Sequence, residues 1–580
     1  MKIVNRIGVY LGCLAKFIGP GFMIAVGYLD PGNWATDMEG GSTYGYRLLF
    51  IILISNVIAV FLQNLTIRLG TIAGLDLAAA SRRYFPKWLN LFLYVLAELA
   101  IIATDLAEVI GSAIALNLLF PKLPLPAGVA ITAADVLIIL LFYNEEGNDP
   151  DSATQNASAR VVRYFEAFVM MLVGAVGICF MIELAYSNTV AVDVLKGFIP
   201  SREIFADPGC LYVAIGIIGA TVMPHNLYLH SFIIQARCHE WRARRPRLVP
   251  LNDGWAIKQD FSTALVESTT KVDDEKNQQT GRDLAETAPR PQIDIDRLKT
   301  FLNGSLRINL HYSFVDLLVA LTFAFFVNCA ILVVASANFY YGPAGQNQQV
   351  EDLFSAHDLL RQYLGPPAAV VFALALLCAG QSSTLTATLA GQVIMSGFLG
   401  MTTKPWIRRI VTRLVAIIPA MVAACVAGRS GLSNMLVASQ VALSIQLPFA
   451  VVPLVYFTAM KRVMKLDLVV EHKDVPTRPK TISWFDQFFS SSASTRCRLS
   501  SLYEKMANVL NPKKAAPHQH PTALDPPSSP PQNELTVDLT EWPEPLRYPN
   551  GRITNIVACV ISLLLIGLNG YLVVSLFMQL

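Results

Sequence analysis

The sequence has few charged residues. Only 15% of its 580 residues are Asp, Glu, Lys or Arg, whereas 53% are hydrophobic and the mean hydropathy is +0.46. A soluble globular chain would carry roughly a quarter of its residues as charged side chains. This scarcity excludes a soluble protein and indicates a chain that crosses a lipid bilayer several times. The net charge of +3 gives no reason to expect a nucleic-acid partner.

Motifs of several enzyme classes are also missing. There is no GxSxG nucleophile turn and no Walker phosphate loop. The nearest match to a zinc-protease motif, HEWRA at 239–243, lacks the second histidine of HExxH. The nine cysteines include no CxxC pair, which favours buried free thiols over disulfides or metal ligands. We therefore expect neither an enzyme nor a resident cofactor.

Long apolar runs dominate what is present. They predict about eleven membrane spans, with centres near Asp30, Val60, Ala107, Leu137, Leu172, Met223, Phe325, Leu376, Ile417, Gln440 and Leu565. The first run is a full span, so no cleavable signal is expected. Lys and Arg cluster in alternate loops, which places the N-terminus in the cytoplasm and the C-terminus outside. We expect a multi-pass protein of the plasma membrane or of an endosomal or vacuolar membrane.

Two hydrophilic inserts interrupt the apolar chain. Residues 237–310 and 461–551 are polar and contain scattered prolines, and neither can bury enough apolar surface to fold. They divide the chain into a first membrane part at 1–236, a second at 311–460 and a last helix at 552–580. Both inserts are expected to be disordered and cytoplasmic. They either bind cytoplasmic regulators or serve only as linkers, and the sequence leaves both open.

Two spans carry helix-breaking residues at their middle. The first contains Asp30 and Pro31, and the sixth contains Met223 and Pro224. A carboxylate at bilayer depth costs about 2.5 to 3.5 kcal/mol, and proline removes a backbone donor. Irregular backbone persists there only inside protein or beside a watered cavity, so both breaks should face a site. Four continuous spans follow each break, with one more at the end, which indicates an inverted repeat with its site at the midplane.

Asp30, Asn33 and Met223 form the predicted ligand set. A carboxylate and an amide oxygen suit any cation, but a thioether is a soft donor that favours a transition metal. The breaks also expose the carbonyls one turn earlier, those of Gly27 and Ala220. The alternative for Met223 is a gap-filling apolar side chain, which is the commoner role of methionine.

Buried titratable residues suggest a proton path. Asp105 and Glu108 are spaced i, i+3 and share one face of the third span. His225 and His230 lie on the sixth span, and imidazole titrates near neutral pH. The alternatives are a structural ion pair for Asp105 and a satisfied contact between helices for His230.

Several motifs resemble the signatures of the Nramp (natural resistance-associated macrophage protein) family. They are GPGF at 19–22, DPGN at 30–33, TDLAEVIGSAIALNLL at 104–119, MPHNLYLHS at 223–231, GQSSTLTATLAGQ at 380–392 and SQVALSIQLPFA at 439–450. The resemblance covers all the apolar spans and fails only in the inserts. It implies an all-α integral membrane protein with a LeuT-like inverted repeat of 5+5 helices, broken helices 1 and 6, and an eleventh helix.

The resemblance also implies roles for individual residues. It assigns metal ligation to Asp30, Asn33, Met223, the carbonyls of Ala220 and Gly27, and Gln440, which joins in one conformation. Gly27 stands where the family usually has alanine, and a carbonyl ligand should survive that change. Relatives described as moving magnesium or aluminium lack the methionine, so its presence here favours Mn²⁺ and Fe²⁺.

For the proton path, the resemblance implies that Asp105 and Glu108 act with Arg409 or its neighbour Arg408. Arg237 resembles a gate residue of the family, although an arginine snorkelling at the inner surface is an equal alternative. The sequence therefore predicts a proton-coupled transporter of Mn²⁺ or Fe²⁺ that works by alternating access. A sodium-coupled amino-acid symporter of the same fold and a membrane metal sensor are the rival functions.

Overall fold

The computed structural model describes most of the membrane part and short pieces of the inserts. The described residues are 8, 10–11, 14, 19–142, 184, 190–243, 247–251, 254–257, 295–341, 353–363, 365–426 without 401–404, 428–466, 469–470, 535–537 and 546–579. The chain divides into two compact units. One comprises Met1–Gln235, Leu306–Met464 and Tyr548–Leu580, and the other comprises Ala236–Ser305 and Lys465–Arg547.

The first unit is helical. Its elements, in chain order and including the ends that run into the second unit, are α1 (Pro20–Gly27), α2 (Pro31–Tyr44), α3 (Leu49–Arg68), α4 (Leu77–Tyr84), α5 (Lys87–Leu119), α6 (Leu125–Phe142), α7 (Ala191–Lys196), α8 (Glu203–Ala206), α9 (Pro208–Val222), α10 (Pro224–Ala243), α11 (Ile295–Ala335), α12 (Leu353–Tyr363), α13 (Pro366–Leu399), α14 (Pro405–Val426), α15 (Gly428–Ala459) and α16 (Arg552–Gln579). Among the described residues, seven helical segments are long and apolar enough to cross a membrane. The predicted span near Leu172 lies outside the described residues.

Both predicted helix breaks are present. Helix α1 ends at Gly27 and α2 begins at Pro31, with Asp30 as its N-cap. Helix α9 ends at Val222 and α10 begins at Pro224. Proline is tolerated in the first turn of a helix, where its missing N–H has no helical partner in any case. Each break therefore consists of a helix end followed directly by a proline-led helix start.

Close backbone contacts hold the first broken helix in place. A Cβ atom on Gly111 of α5 would overlap the ring of Pro31. Along α11, Gly21 lies where a Cβ would be 2.8 Å from the Asp316 backbone, and Gly41 abuts the Leu332 carbonyl. The Asp316 carboxylate also accepts the Gly21 N–H at 2.8 Å. Both halves of the broken helix therefore contact α11, and α5 packs against the break.

The second unit contains strands within the inserts, where the sequence predicts none. Strands β1 (Arg247–Leu251), β2 (Gly254–Ile257), β4 (Val469–Val470) and β5 (Leu535–Val537) form a sheet in the order β4-β1-β2-β5. Strands β1 and β2 are antiparallel, with Leu248 opposite Ile257. Strands β3 (Lys465–Leu466) and β6 (Leu546–Arg547) form a separate antiparallel pair.

The boundary of the first insert differs from the sequence prediction. Helix α11 begins at Ile295, whereas the sequence prediction placed residues up to 310 in a disordered insert. Ile295, Leu298 and Leu302 recur at helical spacing and continue the apolar face of the span beyond its most hydrophobic part. The predicted disorder of most of both inserts falls on residues outside those described.

The contact between Gly111 and Pro31 gives a stability prediction. Replacing Gly111 with valine should lower the free energy of unfolding by about 1–3 kcal/mol, because a branched side chain overpacks this contact. The matched control is Gly570→Val in α16, where a Cβ meets no heavy atom within 4 Å. Thermal unfolding of the detergent-purified variants measures the effect. Equal melting temperatures for the two variants would contradict the proposed packing.

Candidate functional site

Asp30 lies at the centre of the first break. Its Oδ1 atom accepts the Asn33 backbone N–H at 2.8 Å, which caps α2. The side chain is fully buried, and its second oxygen, Oδ2, has no hydrogen-bond partner in the described part of the chain. A buried carboxylate with an unpartnered oxygen is costly unless a proton or a cation neutralises it.

Asn33 joins the two breaks. Its Nδ2 lies 2.6 Å from Asp30 Oδ1, 3.0 Å from the Ala220 carbonyl oxygen and 3.5 Å from the Gly27 carbonyl oxygen. Residues 31 and 224 are prolines, so neither carbonyl has the N–H donor that a continuous helix would supply four residues later. Three oxygens from both broken helices therefore converge on a single amide group.

Met223 forms the second break. It is fully buried and has φ 43°, the single non-glycine residue with positive φ among those described. Such a backbone conformation costs about 1–3 kcal/mol and persists only when the surroundings fix it. The Asn226 Nδ2 donates a hydrogen bond to the Met223 sulfur at 3.4 Å. Asn226 also lies against Gly27, where a Cβ would be 2.9 Å from its Nδ2. Asn226 therefore lies between the Met223 sulfur and the end of α1 and contacts both.

Gln440 lies against both broken helices. A Cβ on Gly32 would overlap the Gln440 carboxamide, and a Cβ on Gly219 would overlap its backbone carbonyl. Its Nε2 donates to Ser439 Oγ at 3.1 Å, and its buried Oε1 has no partner among the described residues. Gln440 is thus adjacent to the predicted ligand set without a hydrogen bond to Asp30 or Asn33.

Helix α5 contacts α13 through Glu108 and α10 through Thr104. Glu108 accepts a hydrogen bond from Ser383 Oγ on α13 at 2.8 Å, and it lies one turn before Gly111, which contacts Pro31. The Thr104 hydroxyl lies 3.2 Å from His225 Nδ1. Helix α5 therefore contacts the first break through Gly111 and the start of α10 through Thr104, and Asp105 is buried on the same helix.

His230 belongs to a different set of contacts. Its Nδ1 lies 2.8 Å from Gln63 Oε1 and 3.0 Å from Thr66 Oγ1, both on α3. Gln63 in turn donates from Nε2 to the Tyr28 hydroxyl at 3.4 Å. These contacts favour the alternative in which His230 holds α10 against α3.

The three predicted arginines are placed only by their backbones. Arg408 and Arg409 are near the start of α14, which packs against α5, and Arg237 is on α10. Their side chains lie outside the described residues. Their roles in a proton path and a gate stay predictions.

Sequence reasoning missed several site residues. Asn226 stands inside the quoted MPHN motif and was not singled out, although an amide next to a buried methionine is a polar signal. Asp37 was also missed; it is 1% exposed and lies one turn after Asn33 on the same face of α2. Ser383 lies inside the GQSSTLTATLAGQ motif and was not singled out, whereas Gln63 carries no local signal, because only packing brings it to His230.

Comparison with known proteins identifies the family. A family model described as natural resistance-associated macrophage protein-like matches residues 21–468. The chain belongs to the Nramp family. Nramp proteins are membrane transporters, so this chain is a transporter and not an enzyme.

Curated Nramp relatives and solved structures cover most of the chain. It is 44% identical to the manganese transporter SMF1 of Saccharomyces cerevisiae over 79% of this chain and 74% of that relative. It is 43% identical to the divalent metal cation transporter MntH of Brucella suis, over 80% and 84% of the two chains. The crystal structure of an Eremococcus coleocola manganese transporter matches with a TM-score of 0.57 and 27% identity, covering 98% of this chain and 95% of that one. The predicted helical membrane fold of the family is confirmed for the membrane part, whereas the LeuT-like inverted repeat and its 5+5 division stay predictions.

The position of Asn33 gives a second stability prediction. Asn33→Ala should lower the free energy of unfolding by about 1–3 kcal/mol, because it leaves buried acceptors of both breaks without a donor. Asn569→Ala is the control, since Asn569 is similarly buried and, within the described part of the chain, donates to Leu565 of its own helix. Thermal unfolding in metal-free detergent buffer compares the two variants. A loss for Asn33→Ala no larger than that of the control would show that the amide does not join the breaks.

Proposed function

We propose that this Nramp chain is a proton-coupled secondary transporter of divalent transition-metal ions, with Mn²⁺ and Fe²⁺ as its substrates. The observation that carries the proposal is the convergence of Asp30 Oδ1 and the Gly27 and Ala220 carbonyls on Asn33 Nδ2. Relatives named as manganese, iron and divalent metal cation transporters support the same substrate class.

The donor set accounts for the substrate class. The carboxylate of Asp30 supplies the negative charge that a dication needs in a low-dielectric site. Rotation of the Asn33 carboxamide turns its oxygen toward the point where the other oxygens converge, so the amide changes from donor to ligand. Met223 adds a soft sulfur, which transition metals reward and Mg²⁺ or Ca²⁺ does not.

The breaks also provide for alternating access. Each half-helix ends at the site without a continuous hydrogen-bond ladder, so it is free to move as a unit relative to its other half. A cation bound by Gly27, Asn33 and Ala220 would draw the ends of α1 and α9 together. The bound metal ion would therefore stabilise a state in which the site is closed to both sides of the membrane.

Proton coupling follows from the arrangement of the carboxylates. Asp30 binds either a proton or the metal, and Glu108 lies next to the first break through the Gly111 and Pro31 contact. We propose that a proton taken up through Asp30 and Glu108 enters with the metal. Three positive charges then move down a negative-inside potential, which is worth about 2.3 kcal/mol per charge per 100 mV.

The first functional prediction concerns Asp30. Asp30→Asn should reduce Mn²⁺ uptake into proteoliposomes by at least about a hundredfold, because loss of a charged ligand removes several kcal/mol of binding. Asp193→Asn, an exposed carboxylate paired with Lys196, should transport at the wild-type rate. Metal-quenched fluorescence inside the vesicles gives both rates. Wild-type uptake by Asp30→Asn would refute the assignment.

The second functional prediction concerns Glu108. Glu108→Gln should keep Mn²⁺ uptake down a metal gradient but lose its acceleration by an acidic exterior, since the amide cannot carry the proton onward. Glu203→Gln is the control, because Glu203 is an exposed carboxylate that pairs with Arg47. Uptake with and without an imposed pH gradient separates the two. Unchanged acceleration in Glu108→Gln would remove Glu108 from the proton path.

A further inference from the structure

We infer that Asn226 is a positioning residue that sets metal specificity by holding the Met223 sulfur in place. The inference rests on the proposed metal transport and deepens it. A methionine side chain has three rotatable bonds and adapts readily to its surroundings. A thioether that is to discriminate between metals needs its lone pair aimed at the ion, which a freely rotating side chain does not provide.

Asn226 donates two hydrogen bonds to Met223. Its backbone N–H donates to the Met223 carbonyl at 3.2 Å, and its side-chain Nδ2 donates to the Met223 sulfur at 3.4 Å. Both residues are fully buried. The hydrogen bond engages one of the two sulfur lone pairs and leaves the other available. The side-chain contact therefore fixes both the place and the orientation of the soft donor.

The sulfur is the principal partner of this amide. Asn226 Oδ1 is buried and has no hydrogen-bond partner in the part of the chain that the structure describes. A buried amide whose oxygen is left unpaired is costly, so its position is not explained by a wider polar network. The hydrogen bond to the Met223 sulfur is therefore the interaction that accounts for the position of the Asn226 amide group.

Gly27 leaves room for this arrangement. A Cβ at position 27 would lie 2.9 Å from Asn226 Nδ2 and 3.5 Å from Oδ1. The first distance is too short for an unshifted side chain, so a residue larger than glycine would push the amide. The end of α1, which also carries a proposed carbonyl ligand, thereby limits where the amide and the sulfur lie.

The test measures the ratio of Cd²⁺ to Mn²⁺ affinity by calorimetry on the detergent-purified chain, because Cd²⁺ rewards sulfur more than Mn²⁺ does. Asn226→Leu keeps the side-chain volume and removes the donor. Loss of a residue that orients a ligand typically costs 10–100-fold in metal affinity, so we expect the ratio to fall roughly tenfold. Asn328→Ala is the matched control, because its buried amide donates to the Tyr28 carbonyl and not to the sulfur. This control should leave the ratio unchanged.

Two further variants keep the test decisive. In a Met223→Ala background, Asn226→Leu should change the ratio no further, since there is no sulfur to position. Gly27→Ala should lower the ratio in the same direction with Asn226 intact, while Gly570→Ala in open space should not. Gly27→Ala also serves if Asn226→Leu fails to fold.

The outcomes separate this inference from the proposed function. If Met223→Ala lowers the ratio but Asn226→Leu and Gly27→Ala do not, positioning by Asn226 is wrong and metal binding stands. An equal fall in Asn328→Ala would likewise overturn it. If the wild-type chain binds neither Cd²⁺ nor Mn²⁺, the proposed function fails and this inference fails with it.

Discussion

The site depends on a constraint that two prolines impose on two carbonyl groups. Pro31 and Pro224 each stand four residues after a carbonyl, that of Gly27 and that of Ala220, and neither can donate the helical hydrogen bond. Leaving a buried acceptor unpaired costs about 1–3 kcal/mol. The Nδ2 atom of Asn33 lies within 3.5 Å of both oxygens and only partly replaces their missing helical hydrogen bonds. The two carbonyl oxygens at the centre of the breaks are therefore left with incomplete hydrogen bonding.

Because the hydrogen bonding of these carbonyl oxygens is incomplete, they are available to bind a cation. Asp30 contributes a carboxylate whose Oδ2 has no partner among the described residues, and the Gly27 contact at 3.5 Å is a weak hydrogen bond. A cation at this point would satisfy the carboxylate and both carbonyls at once, which one amide cannot do. In the proposed mechanism, the metal ion binds tightly because it replaces the poor hydrogen bonding of these oxygens in the metal-free site.

The sequence predicts the parts of the site that depend on local covalent structure. Pro31 and Pro224 locate the breaks, their spacing identifies the two carbonyls, and Asp30 and Asn33 lie within one turn of each other. Contacts between distant segments were not predictable in this way. The approach of Gln440 to Gly32 and the bond from Ser383 to Glu108 exist because helices pack at particular heights and angles, and a single sequence does not encode these in its periodicity. The early start of α11 was missed because the prediction followed hydropathy, whereas helical spacing continues past the apolar core.

Met223 shows why the two breaks have to be considered together. Its positive φ is strained, and strain of this kind survives only where several neighbours fix the residue. Pro224 restricts the backbone before it, Asn226 holds both its carbonyl and its sulfur, and Gly27 of the other broken helix sets the space for Asn226. A displacement of the end of α1 would therefore shift the amide and, through it, the sulfur. In this arrangement the geometry of the sulfur is linked to the position of a half-helix that the proposed alternating access requires to move. The proposed metal discrimination and the proposed conformational change would therefore share the same few contacts.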